Sequence, residues 1–201
     1  MKKQVAALVL ACAFCVPQAA WAKATPRGTS GVINAPSGYV RMPGHVSAGM
    51  DWTKDDKTLR GNVSLPLGLE IAASHTNPKH GDAYDTVSAK WQLIRETPAT
   101  PAIAIGVEDI GDQEQRKGYI ALSKALPMDL KIHAGVGTKN YKHGFYALEK
   151  DVKLLGAGMT VMGEYDGSHF NYGAALPIAK FLEGEIGVRD HHLYGGLNLT
   201  F

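Results

Sequence analysis

Glu164, Tyr165 and Asp166 stand in a row, and Asn171 follows five residues after Asp166. Two carboxylates and a carboxamide at that spacing can hold a cation or accept protons from sugar hydroxyls. The plainer reading pairs Glu164 with a basic side chain and leaves Asp166 to make a turn. Glu108-Asp109 repeats the pair and the choice. His169, His191 and His192 are imidazoles that neighbouring loops could gather, a donor set suited to zinc or nickel. Their spacing matches no metal motif, which favours solvated loop histidines. Ser123, His133 and Asn198 carry the residue types of a lipid hydrolase. No G-x-S-x-G turn or H-E-x-x-H helix accompanies them, and alternation places all three on a polar inner face. The expectation is therefore no enzyme, no catalytic residue, no cofactor and no metal.

The elements that must position these groups are strands. Helical periodicity is nearly absent, and segments of about ten alternating residues recur between turn signals. "HVSAGMDWT" sets Val46, Ala48, Met50 and Trp52 on one face. "TLRGNVSL" and "LEIAASHT" follow, the latter with Leu69, Ile71 and Ala73 against Glu70, Ala72 and Ser74. The pattern continues through "DTVSAKWQLIR", "AIAIGVED", "KGYIALSKAL", "DLKIHAGVGT", "MTVMGEYD", "FNYGAALP" and "LEGEIGVR", with "GFYALEKDV" the least regular. The closing "HHLYGGLNLTF" again separates cleanly, with Leu193, Leu197, Leu199 and Phe201 opposite His192, Tyr194, Asn198 and Thr200. That gives about twelve strands.

Residues 1–22 read as a cleaved secretory signal: Lys2 and Lys3, an apolar run from Val5 to Val16, then Ala20-Trp21-Ala22. Cys12 and Cys15 both lie inside it, so the mature chain would use neither disulfide nor thiolate chemistry. Net charge is +2, which gives no case for nucleic acid. After the leader no apolar run reaches helix-spanning length; strands of a β-barrel never show as such runs.

Three features choose a membrane barrel over a soluble sandwich. The turns alternate in kind. "LPLG", "TPATP", "ALPMD", "KLLGAG" and "LPIAKF" are short and carry Pro or Leu, whereas "KDDK", "NPKHGDAY", "GDQEQ", "TKNYKHG", "DGSH" and "RDHH" are polar. Opposite sides of a bilayer would sort them so. The strands are also near the ten residues that a tilted membrane strand needs, and their apolar faces often carry Gly and Ala, too small to fill a sandwich core. One-sided charge fits either fold, but in a barrel Glu70, Lys90, Glu108, Lys131, Glu164, Glu183, Glu185 and Arg189, all opposite the aliphatic side, are expected to face the lumen. Tyr39, Trp52, Trp91, Tyr119, Tyr165, Tyr172, Phe181 and Phe201 divide between interfacial girdles and ordinary packing. The fold expected is a closed antiparallel all-β transmembrane barrel over residues 45–201. Before it, residues 23–44 form a Gly- and Pro-rich segment that could be a periplasmic lead, a lumenal plug or a strand edge. Tyr194, Leu197, Leu199 and Phe201 resemble the C-terminal signal read by the barrel-assembly machinery.

"GTSGVINAPSGYVRMPGHVSAGMDW" resembles the opening of YjbH-type outer-membrane proteins. "AIAIGVEDIGD", "GYIALSKAL", "KIHAGVGT", "GFYALEKDV" and "GEYDGSHFNYGAAL" follow in the order of that family's blocks. The resemblance implies a single barrel unit of an exopolysaccharide-associated family that has no catalytic residues to carry over. Outer-membrane lipid, the assembly machinery, and polysaccharide or its export proteins are the partners implied. The alternatives are a narrow porin-like channel and, less favoured, a lipid-modifying enzyme.

Overall fold

The computed structural model describes residues 23–154 and 157–201. The expected leader and the Leu155-Gly156 step of the "KLLGAG" turn lie outside the described residues. Two short strands, β1 (Lys23–Ala24) and β2 (Ser30–Gly31), pair with each other. The other twelve form one closed antiparallel barrel. They are β3 (Val46–Trp52), β4 (Asp56–Leu65), β5 (Leu69–Pro78), β6 (Tyr84–Ile94), β7 (Ala102–Glu108), β8 (Lys117–Leu126), β9 (Leu130–Gly137), β10 (Phe145–Leu154), β11 (Ala157–Tyr165), β12 (Phe170–Ala179), β13 (Leu182–Arg189) and β14 (His192–Thr200). No described helix is long and apolar enough to cross a membrane. Closure leaves no barrel strand among the described residues with an unpaired edge, which is what lipid requires of a spanning sheet.

Each strand pairs with its sequence neighbours, and β14 closes on β3 with Leu197 opposite Met50. Phe201 extends that seam: its amide donates to the Val46 carbonyl at 2.9 Å, and the Val46 amide donates back at 3.1 Å. Its ring stacks on Phe181 at 6.1 Å between centroids.

Alternation fixes the faces. Along β5, Leu69, Ile71 and Ala73 point out and Glu70, Ala72 and Ser74 point in. The outer wall carries exposed Leu59, Ile71, Val87, Ile120, Leu148 and Ile186; the inner wall is buried and polar. Hydroxyl ladders cross it, as in Thr58–Thr76 at 3.1 Å and Ser74–Thr86 at 2.7 Å. A buried Arg60–Asp51 ion pair joins β4 to β3.

Two details depart from the sequence reading, and a third settles an open choice. "LPIAKF" is not all turn: β12 runs through Pro177 to Ala179, and only Lys180-Phe181 turn the chain. The proline sits where the β12–β13 register shifts between Pro177 and Ala179, a bulge at which its missing amide is tolerated. "GFYALEKDV" is a regular strand whose Phe145, Ala147 and Glu149 are buried while Tyr146 and Leu148 are exposed. Of the aromatics left open between girdle and packing, Tyr39 and Tyr119 pack inside the barrel, against His133 and Tyr141. Trp52, Trp91, Tyr172, Phe181 and Phe201 do face outward.

The inward aromatics follow a rule. Tyr119 is the cross-strand partner of Gly106, Phe145 of Gly135 and Tyr194 of Gly187. In each pair the ring lies in the space where the glycine's Cβ would be. Outside, Trp52 covers Gly195 in the same manner. The ring shields backbone that the glycine exposes, and the missing Cβ gives the ring its place.

Candidate functional site

Residues 23–41 lie within the barrel, and residues 42–44 emerge to an exposed turn that leads into β3. The turns of the enclosed part are tied by short backbone bonds, Gly28 to the Thr25 carbonyl at 2.7 Å and Val32 to the Ala35 carbonyl at 3.0 Å. Val32, Ile33 and Ala35 are buried with Tyr119, Tyr141, Phe145, Met162 and Tyr194. These residues form the small apolar core of an otherwise polar interior.

The lumenal charges hold this plug mostly through its backbone. Glu164 accepts the amides of Ile33, Asn34 and Ala35 at 2.9, 2.6 and 3.0 Å. Asn171 donates to the same carboxylate at 2.8 Å. Glu70 accepts the Ser30 amide at 2.7 Å and its hydroxyl at 2.6 Å. The Lys90 ammonium donates to the Ser30 carbonyl and, at 2.9 Å, to the Tyr39 carbonyl. Lower down, the Tyr39 hydroxyl donates to Glu96 at 2.5 Å and Arg41 donates to Thr200 at 2.9 Å. Burial and the neighbouring Glu96 carboxylate push the Tyr39 phenol well above its ordinary range. A carboxylate accepting several amides is a strong arrangement, since charge-assisted bonds contribute about 1.5–3 kcal/mol each.

The residues singled out from sequence separate here. Glu70, Lys90 and Glu164 bind the plug. Glu108 accepts the Tyr141 hydroxyl at 3.1 Å, whereas its neighbour Asp109 organises the next loop by accepting the amides of Gln113, Glu114 and Gln115. Lys131 stays on the wall with Glu149 and Asp151, at 3.8 and 3.6 Å. Arg189 pairs with Asp56 at 3.4 Å and lies over Tyr194. Glu185 is buried on the inner wall, and Glu183 on the same face of β13 is half-buried. Tyr194 points inward, while Leu197, Leu199 and Phe201 point outward.

At the outer end, Asp166 accepts the Asn34 carboxamide at 2.9 Å and the Asn171 carboxamide at 3.1 Å. The Ser168 and His169 amides donate to its other oxygen. Burial opposes the charge, yet those bonds outweigh it and hold the carboxyl below the usual range. Asn34 also reaches Asp190 at 3.3 Å, so one plug residue latches two outer loops. His169 meets Asp190 at 3.1 Å and packs edge-on against His191 at 5.1 Å. His192 turns away to Asp55 at 3.4 Å. The three histidines therefore do not converge. Asp166, His169 and Asp190 do cluster, but Asp166 is already saturated by four donors.

Above the plug opens a vestibule of about 350 Å³. Its floor is plug, with Thr25, Pro26, Arg27 and Asn34, and its rim comes from the outer loops. Two buried acceptors on its lining, Glu108 Oε1 and Asn140 Oδ1, have no hydrogen-bond partner among the described residues. An orphaned buried acceptor costs about 1–3 kcal/mol, so both are suited to meeting a donor. Arg27, Asn34, Lys117 and Asn140 were missed by sequence reasoning. Arg27 and Asn34 sit in the segment without alternation, and the other two are at strand or loop ends, where no pattern marks direction.

Ser123 and His133 do come together: both are buried, with Oγ and Nδ1 2.7 Å apart. The Gly38 amide donates to the same hydroxyl at 2.7 Å, so Ser123 bridges the plug and His133. Asn198 is on β14, across the barrel from β8. The pair is thus a plug anchor. Ser123→Ala should cost about 1–2 kcal/mol of plug stability, with no phospholipid turnover by either protein. Fatty-acid release by the parent that the variant lost would refute this.

The profile of the YjbH family, described as "Exopolysaccharide biosynthesis protein YbjH", matches residues 25–175. No curated protein sequence matches the chain. Among solved structures the barrel is similar to "KdgM porin" at TM-score 0.54 and 10% identity, covering 78% of this chain and 98% of that one. It is similar to "KdgM porin in complex with disordered oligogalacturonate" at 0.52 and 11%, with 78% and 98% covered. The NanC porin aligns at 0.43 and 8%, over 78% and 97%. At these identities the likeness is one of fold, that of outer-membrane porin barrels.

Proposed function

The chain belongs to the YjbH family, and from that premise we propose that it is a non-enzymatic outer-membrane component that handles an exported polysaccharide at the cell surface. The observation that carries this reading is the filled lumen. A segment hydrogen-bonded to inward side chains around the barrel leaves a polar vestibule facing out, which suits holding a glycan better than passing solutes. Sugars are recognised through hydroxyls, and the vestibule is lined by carboxylates, carboxamides, cations and two tyrosines. Outer-membrane lipid, the barrel-assembly machinery and polysaccharide-export proteins are the partners this role requires.

A narrow channel is the second reading. It is favoured by the shared fold with KdgM porin, one structure of which is titled as a complex with oligogalacturonate. Two measurements separate the readings. Under the first, deleting the gene shifts polysaccharide from the cell surface to the medium or abolishes it, and the purified barrel shows no steady conductance in a planar bilayer. A wide, steady conductance with unchanged surface polysaccharide would overturn the first reading in favour of the channel.

A further inference from the structure

The vestibule's charges allow its ligand to be narrowed. We propose that it takes a sugar unit free of carboxylates, neutral or amino-bearing, which donates hydrogen bonds to Glu108 and Asn140; this rests on the glycan reading above.

Both arginines of the vestibule are paired with carboxylates. Arg27 is paired with Glu114 and lies 5.8 Å over Tyr84. Arg189 is paired with Asp56. Lys117 lies 5.3 Å over the Tyr141 ring and is the cross-strand partner of Glu108. Against these three stand five lining carboxylates, the two not yet named here being Asp166 and Asp190. A uronate entering this space would bring a sixth carboxylate and meet repulsion.

What two acceptors of the lining lack is a donor. Glu108 is 1% exposed, its Oε2 is taken by Tyr141, and its Oε1 has no partner among the described residues. Asn140 uses its nitrogen on the Asp166 carbonyl at 3.0 Å, which leaves Oδ1 facing no donor among those residues. Hydroxyl or ammonium groups of a sugar would satisfy both, and a site built to bond such groups rejects analogues that cannot donate. The volume, about 350 Å³, falls at the small end of the roughly 300–1,000 Å³ typical of ligand pockets. One or two sugar units would fill it.

The test titrates the purified full chain in detergent with three probes by calorimetry: a glucosamine trimer, an N-acetylglucosamine trimer and trigalacturonate. Binding of one or both of the first two at least tenfold tighter than trigalacturonate is expected. Glu108→Gln should weaken that binding at least fivefold while the barrel keeps its heat-modifiable gel mobility. Asn140→Ala, at the more accessible orphan, gives a second reading should the first variant misfold. Trigalacturonate binding equally or more tightly would overturn the inference. So would silence from all three probes in a protein whose deletion strips surface polysaccharide, and the family-level role would then still stand. Carboxylate-free binding without any polysaccharide phenotype would support the site and remove the role.

Discussion

Replacing Glu164 with alanine will release the plug from the outer half of the barrel while the barrel stays closed. Three consecutive plug amides end on this one carboxylate, and Asn171 is a fourth donor. Alanine orphans the three plug amides, two of them buried, and leaves the Asn171 carboxamide nitrogen only its bond to Asp166. Charge-assisted bonds are worth about 1.5–3 kcal/mol each and do not add fully. A loss of about 4 kcal/mol is expected, which is roughly a thousandfold in the population of the opened plug. The wall pairing of β11 with β10 and β12 is backbone and survives. The readout is a cysteine at Val32, buried at 1% exposure, in a chain whose Cys12 and Cys15 are replaced by serine. Maleimide labelling should accelerate roughly a thousandfold in the alanine variant, because modification through local opening tracks the open population.

Glu164→Gln should fall between parent and alanine. A carboxamide offers one acceptor oxygen where both carboxylate oxygens now accept plug amides, and its NH₂ would face another N–H donor. Glu96→Gln, at the opposite end of the plug, should leave labelling at Val32 within tenfold of the parent. Equal labelling in the parent and Glu164→Ala would mean that the apolar contacts of Val32 and Ile33, not the carboxylate, hold the plug.

The residue types at Glu164 were visible in the sequence, but their job was not. Alternation assigned Glu70, Lys90, Glu108 and Glu164 to the inner face, because period-2 patterning reads directly onto a wall with two solvents. The same rule gave the strand count and the sorting of the turns. It could not name the partners. The plug presents mainly backbone N–H and C=O groups, which every sequence has, so Ser30, Ile33 and Ala35 carry no signal of what they meet. Polarity also misleads inside this barrel. Phe145 and Tyr119 occupy inward positions where polar residues are expected, so "GFYALEKDV" looks irregular and Tyr119 stays open between girdle and packing. The signal that would have found them is the glycine across the ladder, and that requires the register.

That pairing makes the second large effect. Gly135→Val is expected to destabilise the barrel by about 3 kcal/mol, the upper range for overpacking a filled site. A side chain at Gly135 would meet both the Phe145 ring and the Ile120 carbonyl. The carbonyl is ladder backbone of β8 and cannot move cheaply, and the ring must leave as well. Phe145 is 0% exposed and packs on Tyr141 at 5.0 Å. Tyr141 in turn holds the Asn34 carbonyl at 3.2 Å and Glu108 at 3.1 Å. Moving the ring therefore disturbs the plug as well as the wall, and labelling at Val32 should rise together with the fall in the urea midpoint. Gly163→Val is the control, since a Cβ there meets nothing within 4 Å; it should change stability by less than about 0.5 kcal/mol, as open surface positions do. If both valines cost the same, the glycine matters for backbone freedom alone and the ring is not seated on it. A loss confined to Gly135→Val, and smaller in a Phe145→Ala background than in the parent, would establish that glycine and ring act as one unit in fixing the register.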